Sequence, residues 1–503
     1  MSFQSETTTV ASNEQAPLLP KTQRNDPYNN NDDDNDDTYL INQPRKYKVV
    51  ALLCAVFLAV GSHFAAHTLG AMKNIVKEDF GISNSQYGAI QSSVSIVNTV
   101  LPVFGGIVLD SFGTASGSIA TTILITVGNV LVAFSTGNKS LPTMIIGRVL
   151  YGIGSGTVVI VQETILSQWF KGPSLAAVIA LMMTVSRLAS FAAQATVIPI
   201  ANWMGWYGYG FWFSAFLCIF SLVINLMYLT LVRNVSGIRS QATNNSALRR
   251  KKTFSWSKLL YLPHCYWLIA IMEFLLGGGW GCFLHINSEF VKMRFGYDDA
   301  RAAATGSIAQ LLPVFLMPIL GLCVDRFGKR TWMIIGSGLT FLVSLLLLNY
   351  THIAPVVGML FFSISLALGP VGLVSSVPII LPMSLVGTGM GLVKSSTNIG
   401  ASLFDIATGL LQDMDDHQGY DGVMNFFIGV GALSVIAGLT LWFLDMSIYD
   451  ALLDQSARDS RQQEQKVETS AVQEKLWANW IYGGVYLFLA CLSWILFIKF
   501  VLL

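Results

Sequence analysis

Apolar residues in this chain gather into long stretches broken by short polar turns. Twelve stretches lie near 49–72, 84–109, 117–135, 141–163, 175–198, 209–232, 264–288, 302–324, 331–350, 354–381, 387–411 and 422–444, and a thirteenth runs from 479 to 502. Each approaches or exceeds the roughly 20 residues that a helix needs to cross about 30 Å of hydrocarbon. None alternates with the period of a strand, and backbone amides in lipid are satisfied only in helices or closed barrels. The pattern predicts an all-α polytopic membrane protein with a thirteenth, C-terminal helix. The longest polar loop before residue 445, at 233–263, divides the first twelve spans into six and six. The expected organisation is a cytosolic tail at 1–44, a six-helix half at 45–232, a linker at 233–263, a second half at 264–445, a cytosolic segment at 446–476 and an extra transmembrane helix at 477–503. The tail is polar and rich in Asn and Asp, and cannot bury a core. No apolar run lies near Met1, so no cleavable signal is expected and the first span serves as its own insertion signal.

Composition sharpens this picture. Only 12% of the 503 residues are charged and 53% are hydrophobic, against about 25% charged in soluble domains. That excludes an ordinary cytosolic enzyme, and a net charge of +1 lacks the basic excess that nucleic acid requires. The six cysteines are scattered through apolar runs and form neither a disulfide framework nor a metal cluster. No Walker loop, metal-spaced histidine pair or nucleophile motif appears, so no enzyme, cofactor, metal or ATP-driven motor is expected. With a cytosolic N-terminus, 20 of the 30 basic residues fall on the cytosolic side and six on the other. The positive-inside rule selects that orientation and puts the C-terminus on the lumenal or outer side.

The two halves share a loop. Gly106-Ile-Val-Leu-Asp110-Ser-Phe-Gly113 follows the second span, and Gly321-Leu-Cys-Val-Asp325-Arg326-Phe-Gly328-Lys329-Arg330 follows the eighth, offset by 215 residues. Duplicated six-helix halves point to a secondary transporter with its site between them near the midplane. The second copy resembles in full the loop motif of the major facilitator superfamily; the first keeps only the Gly and Asp, with Ser111, Thr114, Ala115 and Ser116 replacing the basic residues. The resemblance implies a cytosolic latch of Asp110, Asp325, Arg326, Gly328, Lys329 and Arg330, with Glu163 pairing with it. The blander reading is a tight turn whose exposed charges contribute little.

A closer likeness covers most of 45–445. Gly147-Arg148 to Gly154, Gln162-Glu163-Thr164, Trp169 to Gly172, Ser186-Arg187, Gly387-Thr388, Gly391 and Lys394 to Gly400 resemble the lysosomal dipeptide transporter branch of that superfamily. Three positions depart from it. The fourth helix lacks the branch's acid at Gly156, Val374 replaces a Trp, and Lys394 replaces a Gln. The cavity is thereby more cationic, and an anionic metabolite or acidic peptide stays open beside a dipeptide.

Charges inside spans cost roughly 2.5–3.5 kcal/mol on insertion scales and are functional candidates. Arg187 lies mid-way along the fifth span, Glu273 in the seventh, and Lys394 and Asp405 flank the centre of the eleventh. His63 and His67 share a face of the first span, His285 lies toward the lumenal end of the seventh, and Arg148 and Glu163 toward opposite ends of the fourth. In the family, the first, fifth, seventh and eleventh helices line the cavity. Arg187 and Lys394 then suit a substrate carboxylate, and Glu273 an ammonium, with Asn398 beside them. Ion pairs Arg187–Glu273 or Lys394–Asp405 that only fix helix register are the alternative. His63 and His67 titrate near the pH of an acidic organelle or pack as core residues. Arg148 sits among glycines that read mainly as helix packing, and the family carries an Arg there too, which keeps it a candidate ligand.

Glu14-Gln-Ala-Pro-Leu18-Leu19 matches an acidic dileucine signal read by sorting adaptors, which predicts a lysosomal or vacuolar membrane, with the plasma membrane second. Asn138 and Asn349 begin glycosylation sequons on short lumenal loops. Arg249 to Lys252 suit anionic lipid. The thirteenth helix, with Trp477, Trp480 and Trp494, is expected to pack outside the bundle, in place of a single-span accessory subunit. The reading is a secondary active or facilitative transporter of small peptides or amino-acid-like solutes from lumen to cytosol. The alternatives are an organic-anion transporter and a non-transporting receptor or scaffold.

Overall fold

The computed structural model describes residues 40–102, 114–171, 173–236, 262–381, 383–456 and 477–502, and among these there is no strand. The helices are α1 (Arg45–Ala71), α2 (Lys73–Phe80), α3 (Asn84–Val97), α4 (Thr114–Asn138), α5 (Leu141–Trp169), α6 (Pro173–Met204), α7 (Gly208–Ser236), α8 (His264–Phe295), α9 (Asp299–Phe327), α10 (Arg330–Tyr350), α11 (Pro355–Ile380), α12 (Met383–Asp413), α13 (Asp421–Ile448) and α14 (Ala478–Leu502). Eleven are both long and apolar enough to cross a membrane. The two expected spans outside that set are α3 and α12. The described helix α3 ends at Val97, and residues 103–113, with Asp110, lie outside the described residues. Helix α12 is 31 residues long but carries Lys394, Ser395, Ser396, Thr397, Asn398 and Asp405, so its length and not its apolarity spans the bilayer.

The architecture is the expected one, two six-helix halves plus a thirteenth spanning helix. Several helices run longer than hydropathy suggested, α8 to Phe295 and α6 to Met204, because their ends are polar turns that still complete backbone hydrogen bonds. One helix lies where the hydropathy pattern predicts a loop. α2 is an eight-residue helix closed by Gly81 in the left-handed conformation (φ +64°). It is too short to register in a span-length window, and it carries Lys73 into the seam between the halves.

Small residues set the closest helix approaches. A Cβ on Gly278 of α8 would stand 2.7 Å from the carbonyl carbon of Gly400 on α12, so the two backbones touch there. Helix α8 widens into a π turn over Glu273–Gly277 just before this crossing, an irregularity frequent at functional positions.

At the clasped end of the bundle, the end that carries α2, the halves are bound by charge. Lys73 Nζ lies 2.7 Å from Glu289 Oε2 of α8 and donates to Gln412 Oε1 (2.6 Å) and to the Tyr420 hydroxyl (2.9 Å). Lys77 reaches Glu289 Oε1 at 3.2 Å. The backbone N–H groups of Asn84 and Ser85, at the start of α3, donate to Asp413 at the end of α12 (3.0 and 2.8 Å). Deeper along the seam, Gln194 of α6 donates to Asn287 and Ser288 of α8 and accepts from Gln310. Among the described residues, cross-seam hydrogen bonds extend from this end only as far as Ser395 with the Thr99 carbonyl.

Helix α14 packs on the outside of the bundle, as expected, across α3, α8 and α12. Asn479 accepts from Trp267 Nε1 (2.9 Å), Tyr486 donates to Ser395 Oγ (2.5 Å), and Trp494 Nε1 donates to Thr99 Oγ1 (3.1 Å). Of the two sequons, Asn138 is exposed, whereas Asn349 is 7% exposed and therefore poorly placed for modification.

Candidate functional site

The α8–α12 crossing builds the site's second-half wall. Because Gly277, Gly278 and Gly400 let the helices touch, Thr397 Oγ1 donates to Glu273 Oε2 at 2.7 Å. Glu273 is 6% exposed. Lys394, one turn before Thr397 and Asn398, lies on the same helical face, and Asn398 Nδ2 donates to the Lys394 carbonyl (2.8 Å). Lys394 is exposed although it sits within a spanning helix. Its ammonium lies within electrostatic reach of Glu273 in its own half and of Glu163 of α5 across the seam.

The first-half wall is α1 with α6. Arg187 is half-buried and forms no ion pair among the described residues. Its charge reaches His63 and His67, one turn apart on α1. His63 Nε2 and His67 Nδ1 are buried and have no hydrogen-bond partner among the described residues.

Neither alternative ion pair is present. Asp405 lies 2.9 Å from His285, not on Lys394, and Glu273 is held by Thr397, not by Arg187. The two cations therefore stay available to a solute. Arg148 is different. It is 4% exposed, donates to Gln91 Oε1 (2.8 Å) and stacks over Tyr151, so it fastens α5 to α3 inside the first half.

The motif loop is also engaged differently from the expected latch. Gly328 has φ +69°, and a Cβ there would collide with the Asp454 carbonyl. Arg330, 3% exposed, donates to the Leu453 (3.2 Å) and Gln455 (2.9 Å) carbonyls, and Thr331 binds Asp454. Arg330 thus ties the loop to the segment after α13 within its own half. Asp325, Arg326 and Lys329 are exposed and carry no ion pair among the described residues. Glu163 lies within electrostatic reach of Lys394 and forms no ion pair with Asp325, Arg326, Lys329 or Arg330. The clasp of Lys73, Glu289 and Tyr420 escaped sequence reasoning. A Lys and a Glu near helix ends read as ordinary loop charges, and nothing local signals that they meet across 216 residues.

A model of the major facilitator superfamily matches residues 52–404 and 269–503. The lysosomal dipeptide transporter MFSD1 of Bos taurus is 26% identical over 422 residues, spanning 79% of this chain and 86% of that protein. The protein of the same name from Danio rerio is 25% identical over 421 residues, with 79% and 87% covered. Among solved structures, peptide transporter POT in complex with sulfate superposes with a TM-score of 0.61 at 14% identity, covering 80% of this chain and 96% of that one. That likeness is one of fold.

Proposed function

The chain belongs to the major facilitator superfamily, and from that premise we propose that it moves small peptides, dipeptides foremost, from a lysosomal or vacuolar lumen to the cytosol by alternating access. The observation that carries the reading is the pair of uncommitted cations on matching helices of the two halves, Arg187 on α6 and Lys394 on α12, with the acid Glu273 held beside Lys394. A peptide's carboxylate suits a planar guanidinium, and its amine suits Glu273. Relatives named as dipeptide transporters, matched over 79% of this chain, support the substrate class.

In this reading the clasped end faces the lumen and the N-terminus the cytosol. The bonded seam at the lumenal end and the unpaired Asp325, Arg326 and Lys329 at the other describe a cytosol-facing state. The latch engages when the lumenal end opens. Glu14, Leu18 and Leu19, which lie outside the described residues, are read by sorting adaptors, and Leu18→Ala with Leu19→Ala should move the protein to the cell surface. α14 covers the α3–α12 seam where a single-span accessory subunit would otherwise pack, so truncation at 470 should lower thermal stability.

Uptake of labelled dipeptide by purified protein in proteoliposomes tests the reading, with Arg187→Ala expected to abolish it while the melting temperature holds. Normal transport by that variant would overturn the assignment. Competition by carboxylates but not by dipeptides would favour the organic-anion reading, which the two uncommitted cations also accommodate.

A further inference from the structure

Helix α14 grips both halves, and it does so where α3 is broken. Pro102 has no N–H for the Asn98 carbonyl, and its ring crowds that turn. Over Asn98–Val100 the α-helical ladder gives way to turns, in which Thr99 and Val100 donate three residues back, to Ile96 (3.2 Å) and Val97 (3.4 Å). Asn98 Nδ2 pins the break to α5 through the Gly152 carbonyl (3.1 Å), and a Cβ on Gly156 would collide with Asn98 Oδ1. The break lies about 20 Å along α3 from Asn84, at about 1.5 Å per residue. That is membrane depth, where irregular backbone persists only if protein covers it. Helices α12 and α14 supply the cover. Ser395 Oγ donates to the Thr99 carbonyl, Tyr486 donates to Ser395 Oγ, and Trp494 Nε1 donates to Thr99 Oγ1. Thr99 is thereby 5% exposed.

The first turns of α14 are fastened to the second half. Asn479 Nδ2 donates to the Leu262 carbonyl (2.9 Å), its Oδ1 accepts from Trp267 Nε1 (2.9 Å), and Tyr482 shares a hydrogen bond with His264 (3.1 Å). A helix fastened to both halves far from their axis of movement would resist that movement, whereas near the axis the halves barely separate. Among the described residues, seam bonds run from the clasp to Ser395 and Thr99, and beyond them Glu163 and Lys394 form no ion pair. The Thr99–Ser395 contact thus divides the bonded seam from the unbonded one, which is where a fulcrum belongs. Taking the halves to rock as the transport reading requires, we propose that α14 is a strap across that fulcrum. It travels with the second half and, through Trp494, keeps α3 on α12 in both states. The clasp can then gate one end of the seam without the break in α3 meeting lipid.

Spin labels on the native Cys491 of α14 and on Val100→Cys of α3, both exposed, read the grip, with Cys323 replaced by Ser. A second pair, on Asn138→Cys and Asp421→Cys with Cys323 and Cys491 replaced by Ser, reads the clasped end. In protein carrying Lys73→Ala with Glu289→Ala, the second distance should lengthen while the first keeps its position and width. Trp494→Phe with Tyr486→Phe keeps both rings and deletes only the donors; it should broaden the first distribution and add a longer component. Thr99→Val should do the same, and Thr99→Ser, which retains the hydroxyl, should not. A first distance that lengthens in step with the second, or a width indifferent to loss of the donors, overturns the proposal. Neither distance needs a substrate, so dipeptide counterflow by the same samples judges the transport reading separately.

Discussion

Lys73 Nζ and Glu289 Oε2 stand 2.7 Å apart across the seam, their side chains 2% and 1% exposed. Each is anchored on its own half, and both touch the Tyr420 hydroxyl, Lys73 donating to it and Glu289 accepting from it. Removing one partner of such a pair strands a buried charge, at a cost of about 3–5 kcal/mol, whereas removing both costs much less. Lys73→Ala and Glu289→Ala should therefore each lower stability more than the double variant does. Thermal unfolding in detergent measures the cycle, and additive losses would show that the two residues do not act as a pair.

Asp79 at the same end is a carboxylate whose charge is held by its neighbours. Partial burial opposes ionisation, but hydrogen bonds from Lys139 (2.8 Å) and Tyr207 (2.7 Å) outweigh it and leave the carboxyl below its ordinary value. A depressed folded-state value contributes stability above the unfolded value, lost as pH falls through the folded one. The Asp79 contacts should therefore hold at the pH of an acidic organelle and fail only in stronger acid. Asp79→Asn should lower the melting temperature at pH 7 and flatten the acid limb below pH 4, so that the two profiles converge in strong acid; an unchanged acid limb would remove Asp79 from this role.

Two glycines separate packing from gating. An added Cβ at Gly278 would press on Gly400 within the second half, whereas one at Gly88 would press on Asp405 across the seam. Overpacking costs about 1–3 kcal/mol where the surroundings cannot yield. Gly278→Ala should lose that stability without changing the gate. Gly88→Ala has a way out, since parting the halves relieves the clash, so it should lengthen the distance between spin labels on Asn138→Cys and Asp421→Cys, two exposed positions on opposite halves at the clasped end. Equal distances in both variants would mean that the α3–α12 contact does not report on gating.

The spans, the duplicated halves and the uncommitted cations were legible because each is a local signal. A charge inside an apolar run, such as Arg187 or Lys394, stands out against the cost of burying it. What could not be read was pairing. Asp405 stands 11 residues after Lys394 and was weighed as its partner, but three turns of helix lie between them, and His285 of the neighbouring helix meets it instead. Arg330 read as an exposed latch cation, yet it is buried against the Leu453 and Gln455 carbonyls, in a segment whose sequence carries no sign of it.

Glu163 and Lys394 define the final expectation. They face each other across the seam, within electrostatic reach yet without an ion pair. The seam is bonded at the other end. In alternating access one end closes as the other opens, so separation at the clasp should draw α5 and α12 together at this end and bring the two charges into contact. Cysteines replacing Glu163 and Lys394 should therefore cross-link weakly with the clasp intact and several-fold more strongly in the Lys73→Ala, Glu289→Ala background. The two clasp residues lie in the first half and the second half respectively, far along the helices from the cross-link. A change in yield would have to travel through rigid-body movement of the halves, and an identical yield in both backgrounds would show that the two ends do not move together.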